Sequence, residues 1–314
     1  MEPITVAAVQ ASPVFLDREA TVEKAIGLIN EAASRGARLI VFPETFIPTY
    51  PDWCWRATPW QGGSAFHARL LANAVTIPSP ATDALGEAAR EANAIVAMGC
   101  NEVEAGSGTI YNTLLFVGAD GALLGKHRKL MPTGGERLVW GQGDGSTLRT
   151  YETPIGRIGG LICWENYMPL ARAALYGQGL DIYVAPTWDN SDVWVPSMQH
   201  IAKEGRCFVI GVAPFLRGSD VPDDVPLREQ LWGGEDDVMS QGNSVIVGPR
   251  GDILAGPLVG EEGIVTAEID PAKARAIRHE FDVTGHYSRP DVFTLHVDTR
   301  SKRSVVYDED ADRS

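Results

Sequence analysis

The sequence predicts an α/β layered fold. Three observations carry that reading. Short apolar runs alternate with amphipathic stretches along both halves of the chain, turn and cap residues punctuate them, and 44% hydrophobic with 22% charged residues is an ordinary folded composition. The 314 residues allow two domains or one large one.

The elements are justified in chain order. Residues 4–10, ITVAAVQ, read as a buried strand. Val22, Ala25, Ile26, Ile29, Ala32 and Ala33 then recur at helical spacing, and Gly36 sits where a C-terminal cap belongs. Residues 38–42 read as the next strand, 80–93 as a helix, and 94–103 and 110–117 as strands. Asp120-Gly121 turns the chain into a strand over 122–126. In the second half, strands are expected at 157–163, 181–185, 206–212, 243–247 and 263–269. Helices are expected at 168–177, at 195–205 and from Pro271. Three segments break the alternation. Residues 48–66 carry Trp53, Trp55, Trp60 and Phe66 and read as an ordered loop near a pocket. Residues 217–240 hold seven acids against two arginines and read as a long surface loop. Residues 285–314 form a tail whose acidic end is expected to be disordered.

Charge and composition exclude several functions. Lys plus Arg total 27 and Asp plus Glu total 41, a net charge of −14, with no long basic run. That argues against partners such as nucleic acid or an anionic membrane. The four cysteines form no CxxC pair and the six histidines show no metal-ligand spacing, so no metal and no cofactor are expected. The N-terminus lacks the pattern of a signal peptide, and no apolar run approaches the length of a membrane span, so a cytoplasmic protein is expected.

Three residues stand where chemistry is usually done. Cys163 ends the apolar run RIGGLI and precedes a turn and a helix, a junction that presents a side chain beside free backbone N–H groups. Glu44 comes after the strand 38–42 and Pro43, at a strand end where open α/β sheets carry their sites. Lys129 closes the short basic run KHRK. Each also has an ordinary reading, as a core thiol, a loop acid or a solvated charge. Together they make a nucleophile, a base and an anion stabiliser. Cys54, Cys100 and Cys207 lack a comparable turn, and His200 reads as a packing residue.

These segments resemble the nitrilases of the carbon–nitrogen hydrolase superfamily. VFPETF at 41–46 is similar to the family's glutamate motif. GKHRKLMPTGGERLVWGQGDGS at 125–146 is similar to its lysine motif and the adjoining segment. GGLICWENYMPLARAALY at 159–176 is similar to its cysteine motif. APTWD at 185–189, HIAKEGRCFVIG at 200–211 and GHYSRPDVF at 285–293 also look nitrilase-like, so the resemblance covers roughly residues 4–297 in order.

The resemblance implies a four-layer αββα sandwich, with one domain over 1–284 and residues 285–314 as an oligomerisation arm. It implies a Cys-Glu-Lys triad of Cys163, Glu44 and Lys129, with Glu136 beside it. The implied reaction turns a small-molecule nitrile into a carboxylic acid and ammonia through a thioimidate and a thioester. Lys129 is expected to lower the Cys163 pKa, and Glu44 to take its proton. Trp164-Glu165 after the cysteine resembles true nitrilases. The alternatives are an amidase or carbamoyl hydrolase with the same triad, a cyanide-hydrolysing enzyme, and a non-catalytic assembly protein. Trp164, Trp188 and Trp53 are the expected substrate-binding residues. Self-association is implied as a dimer across the helix after the cysteine, or as a larger spiral.

Overall fold

The computed structural model describes residues 2–104, 106–234, 237–302 and 305. Its first half runs β1 (Ile4–Gln10), α1 (Arg18–Ser34), β2 (Ala37–Val41), α2 (Trp53–Arg56), α3 (Gly63–Asn73), α4 (Pro80–Ala92), β3 (Ile95–Val103), β4 (Ile110–Val117) and β5 (Leu123–Arg128). The second half runs β6 (Tyr151–Thr153), β7 (Gly156–Gly160), α5 (Pro169–Tyr176), β8 (Ile182–Pro186), α6 (Trp194–Gly205), β9 (Phe208–Val212) and β10 (Phe215–Arg217). It closes with α7 (Arg228–Leu231), β11 (Val238–Val247), β12 (Ile253–Val259), β13 (Gly263–Ile269) and α8 (Pro271–Ile277).

The strands make two mixed sheets. A 6-stranded sheet has the order β13-β1-β2-β3-β4-β5, and a 7-stranded sheet has the order β10-β11-β9-β8-β7-β6 with β12 on β11. Because side chains alternate along a strand, each strand feeds two cores. On β1, Val6 and Ala8 point between the sheets while Ala7 and Val9 point out. Between the sheets, Val6, Leu39 and Phe116 meet Ile158, Val184 and Ile210. The outer face of the first sheet is covered by α1 and α4 through Ile29 and Leu85. The outer face of the second is covered by α5 and α6 through Leu175, Trp194 and Met198. The result is the αββα sandwich. Covering both faces of each sheet accounts for the nearly continuous apolar runs.

Local chemistry starts the helices where they start. Asp17 caps α1 by accepting the Ala20 N–H at 2.9 Å. At the start of α4 the Thr82 hydroxyl accepts the Ser79 N–H at 2.8 Å, with Pro80 at the first helical position.

Five sequence expectations need correction. Residues 48–66 are not all loop, since α2 and the first turn of α3 lie within them. The strand at 157–163 stops at Gly160, and Cys163 opens a short 3₁₀ turn, Cys163–Tyr167. The strand β12 escaped notice because Gly256-Pro257 interrupts its pattern and its side chains are mostly exposed. The 217–240 segment is more than a surface loop. Val221, Val225, Leu231 and Trp232 are buried in an aromatic cluster with Phe15, Trp53 and Phe66, while Asp224 and Asp237 pair with Arg69 and Arg56 at 3.1 and 2.8 Å. The surrounding acids hid those four apolar anchors. His200 is not packed: it is exposed on α6, 3.8 Å from Glu204. The acidic run at 308–312 lies outside the described residues.

Candidate active site

Three chain segments from two sheets converge at one end of the sandwich. Glu44 lies just past β2, where the chain crosses β3 so closely that a Cβ on Gly99 would stand 2.0 Å from the Pro43 carbonyl oxygen. Only a glycine at 99 lets the Glu44 backbone lie there. Lys129 directly follows β5, and its N–H still donates to the Asn112 carbonyl on β4 at 2.8 Å. Cys163 stands in the turn after β7 with a φ of +55°, a left-handed conformation costing on the order of 1 kcal/mol for a residue with a Cβ. Glu136 sits in the 3₁₀ turn Gly134–Leu138.

The Lys129 ammonium lies between two carboxylates, 2.8 Å from Glu44 Oε1 and 2.7 Å from Glu136 Oε2, and all three side chains are buried. Every carboxylate oxygen has a donor. Glu44 Oε1 also accepts Asn112 Nδ2 at 2.7 Å, and Oε2 accepts the Trp188 N–H at 2.7 Å. Glu136 Oε2 also accepts the Thr133 N–H at 2.6 Å, and Oε1 accepts the Tyr50 hydroxyl at 2.7 Å. The Tyr50 oxygen in turn accepts the Trp55 indole N–H at 2.8 Å. Its ring stacks on Trp188 at 4.3 Å and 6°.

The Cys163 thiol completes the group. One ligand atom from each of Glu44, Glu136 and Cys163 lies within 4.8 Å of the others. Such spacing suits a metal ion, but Lys129 Nζ already supplies the cation to both carboxylates. Burial, then the Glu44 charge, pushes the Cys163 thiol up, against the pull of Lys129. The expected lowering by Lys129 is therefore present but outweighed by burial. Burial likewise pushes Glu44 above the usual carboxylate range, although Lys129 opposes it. Burial works against the Lys129 charge, yet Glu44, Cys163 and Glu136 hold its pKa above the ordinary lysine value. Tyr50, pushed far up by burial, stays a phenol and donates.

The structure thus brings Cys163, Glu44, Lys129 and Glu136 together. Trp188 joins them through its backbone N–H, with its half-buried ring forming a wall on Tyr50. The Trp164 side chain points away: it is 53% exposed, and its indole donates to Asp189 at 3.0 Å. Trp53 stacks on Phe66 at 4.9 Å within the aromatic cluster. Its neighbour Trp55 reaches the site instead. That approach requires Gly135, where a Cβ would stand 2.5 Å from the Cys54 carbonyl oxygen. Sequence reasoning missed Tyr50 and Asn112, and placed Trp55 near a pocket only as one of several aromatics in the 48–66 segment. Asn112 left a signal, being polar within the apolar strand IYNTLLFV. Tyr50 left none, since an aromatic in an irregular segment has no period.

Comparisons with known proteins agree with this geometry. Residues 5–279 match the family model for carbon-nitrogen hydrolases. The aliphatic nitrilase of Sinorhizobium fredii (strain HH103) is 47% identical over 312 residues, covering 98% of this chain and 99% of that protein. Nitrilase 2 of Arabidopsis thaliana is 45% identical over 310 residues, covering 95% and 90%. The bifunctional nitrilase/nitrile hydratase NIT4A of Lupinus angustifolius is 43% identical over 313 residues, covering 95% and 87%. Among solved structures, Saccharomyces cerevisiae Nit3, described as a member of branch 10 of the nitrilase superfamily, superposes with a TM-score of 0.70 at 23% identity. That match covers 91% of this chain and 97% of the other and shows the shared fold. The chain therefore belongs to the carbon-nitrogen hydrolase family, in the branch occupied by the nitrilases.

The buried ion triplet has a pH signature. Lys129, with its folded pKa raised, contributes stability throughout the neutral range and loses it only in alkali. Glu44, also raised, costs stability as it ionises on rising pH. Lys129→Met removes the first contribution and leaves the second, costing roughly 3–5 kcal/mol. The urea midpoint of this variant is expected to fall as pH is raised from about 5 to about 8, whereas wild type changes less over that range.

Proposed function

We propose that this protein hydrolyses an organic nitrile to the carboxylic acid and ammonia, with two waters consumed. The observation that carries the reading is the buried Lys129 ammonium held by Glu44 and Glu136 beside the Cys163 thiol. The Cys163 sulfur attacks the nitrile carbon. Its proton passes to Glu44, whose elevated pKa suits it to accept, and then to the nitrile nitrogen, forming a thioimidate. Burial raises thiol and base alike, which favours proton transfer in step with attack. Water, deprotonated by Glu44, adds to the thioimidate carbon. The tetrahedral intermediate then expels ammonia and leaves a thioester, and a second water releases the acid and restores the thiol. Lys129, with the Trp164 N–H in the first turn after the nucleophile, faces the developing charge on nitrogen and later on oxygen. Glu136 and Tyr50 hold Lys129 in place.

A second outlet exists from the same intermediate. If it expels the thiolate instead of ammonia, the product is the amide. Relatives named bifunctional nitrilase/nitrile hydratase favour keeping this outlet in view. Wild type, fed a panel of aliphatic and aromatic nitriles, is expected to release ammonia and acid. Cys163→Ala, Glu44→Gln and Lys129→Ala, each folded, are expected to lose at least about 10³-fold in kcat. Retained turnover in any of them overturns its assigned role.

Trp188 is proposed to wall the substrate pocket, because its ring stands on Tyr50 and its N–H on Glu44. Trp188→Ala is expected to shift preference toward bulkier nitriles, and an unchanged panel removes it from the pocket. Trp53 lines a separate cavity of about 420 Å³ with Cys54, Trp60, His67 and Leu138. We therefore assign the aromatic contact near the chemistry to Trp55.

Self-association is proposed through the face after the nucleophile. Trp164, Tyr167, Met168, Leu170 and Val193 expose apolar surface there, which water disfavours. Residues 1–284 are proposed as one domain. The tail from 285 onward, which exposes Tyr287, Val292 and Phe293, is proposed as an arm between copies. Leu170→Asp is expected to lower the mass seen by light scattering, and an unchanged mass sinks this interface. No helix among the described residues is long and apolar enough to cross a membrane, and the four cysteines are free, which fits a cytoplasmic setting.

A further inference from the structure

Glu165 and His127 are buried ionisable side chains that the chemistry above leaves unused. We propose that Glu165 is a positioning residue, a strut braced by His127 that sets the separation between the Cys163 thiol and the Lys129 ammonium. The proposal rests on the hydrolase reading and adds to it a residue that touches none of the reacting atoms.

One carboxylate spans the two sheets. Glu165 Oε2 accepts the N–H of Ile162, the residue before Cys163, at 2.8 Å. Its Oε1 accepts the N–H of Leu130, the residue after Lys129, at 2.5 Å. The first contact lies at the end of β7 in the second sheet, and the other lies at the end of β5 in the first. His127, on β5, places Nε2 3.2 and 3.1 Å from the two carboxylate oxygens and Nδ1 3.3 Å from the Thr147 carbonyl. Both ring nitrogens face oxygen acceptors. The Nε2 side of the ring lies against both oxygens of the Glu165 carboxylate, so a proton on Nε2 is donated to Glu165.

The turn needs such a hold because Cys163 is left-handed. Asn166 braces it from behind, donating from Nδ2 to the Leu161 and Cys163 carbonyls at 3.1 and 2.7 Å, and is itself held by Tyr183 at 2.7 Å. Those bonds all lie within the second sheet and its turn. Glu165 reaches across to the segment that carries Lys129. A glutamine in its place keeps the shape but has one oxygen, so its amide NH₂ confronts one of the two backbone N–H groups.

The test compares Glu165→Gln, His127→Gln and His127→Ala with wild type. Folded Glu165→Gln is expected to lose on the order of 10²-fold in kcat for a nitrile, with KM little changed. Alkylation of Cys163 by iodoacetamide, followed by peptide mass, is expected to slow as well. His127→Gln can still donate to the carboxylate and is expected to retain more of both rates than His127→Ala. If Glu165→Gln does not fold, the two His127 variants decide alone. The strut is overturned if folded Glu165→Gln keeps kcat and alkylation within about twofold of wild type, or if the two His127 variants behave alike. If wild type turns over no nitrile while Glu165→Gln still slows alkylation, the hydrolase reading fails and the strut stands.

Discussion

A lysine with no access to water organises this end of the molecule. The Lys129 ammonium is completely buried, and a buried cation is tolerable only when anions and donors are arranged around it. Glu44 and Glu136 meet that need at 2.8 and 2.7 Å. Their own remaining lone pairs then require partners, which Asn112, Trp188, Thr133 and Tyr50 supply. One charge thus dictates the placement of six other residues from four segments of chain. It also sets the electrostatics around the thiol: burial raises Cys163 and Glu44 alike, while Glu44, Cys163 and Glu136 favour the charged form of Lys129.

The sandwich makes this convergence possible. Two sheets covered on both faces bury strand ends that would be wet in an open sheet. The first sheet delivers the Glu44 carboxylate and the Lys129 ammonium from the ends of β2 and β5, while the second delivers the Cys163 thiol from the turn after β7. Their relative position depends on how the sheets pack, and the Glu165 carboxylate joins the two contributions directly. The aromatic cluster of Phe15, Trp53, Phe66 and Trp232 closes the same end, drawing the 217–240 segment over it.

Much of this was legible in the sequence because it was local. The alternation of strands and helices, the capping residues and the strand-end positions of Glu44 and Cys163 are set by neighbours within a few residues. Where reading failed, the information lay elsewhere. The end of β7 was overrun because Leu161 and Ile162 continue an apolar run although the backbone has already turned. Trp53 and Trp55 are two residues apart on the short helix α2, and nothing in that spacing shows which one faces Glu136. Trp164 comes directly after the nucleophile, yet its side chain points outward to Asp189.

The sequence by itself determined the layered fold class, the ordered motifs and the identity of four residues that meet at one site. Those properties depend on residue type and short-range pattern, which a linear chain displays. Only the tertiary structure decided that burial outweighs Lys129 at the Cys163 thiol, that Tyr50 and Asn112 complete the network, and that Glu165 bridges two sheets. Burial, hydrogen bonds between segments 35 to 86 residues apart, and the field of neighbouring charges arise only when the sheets pack face to face.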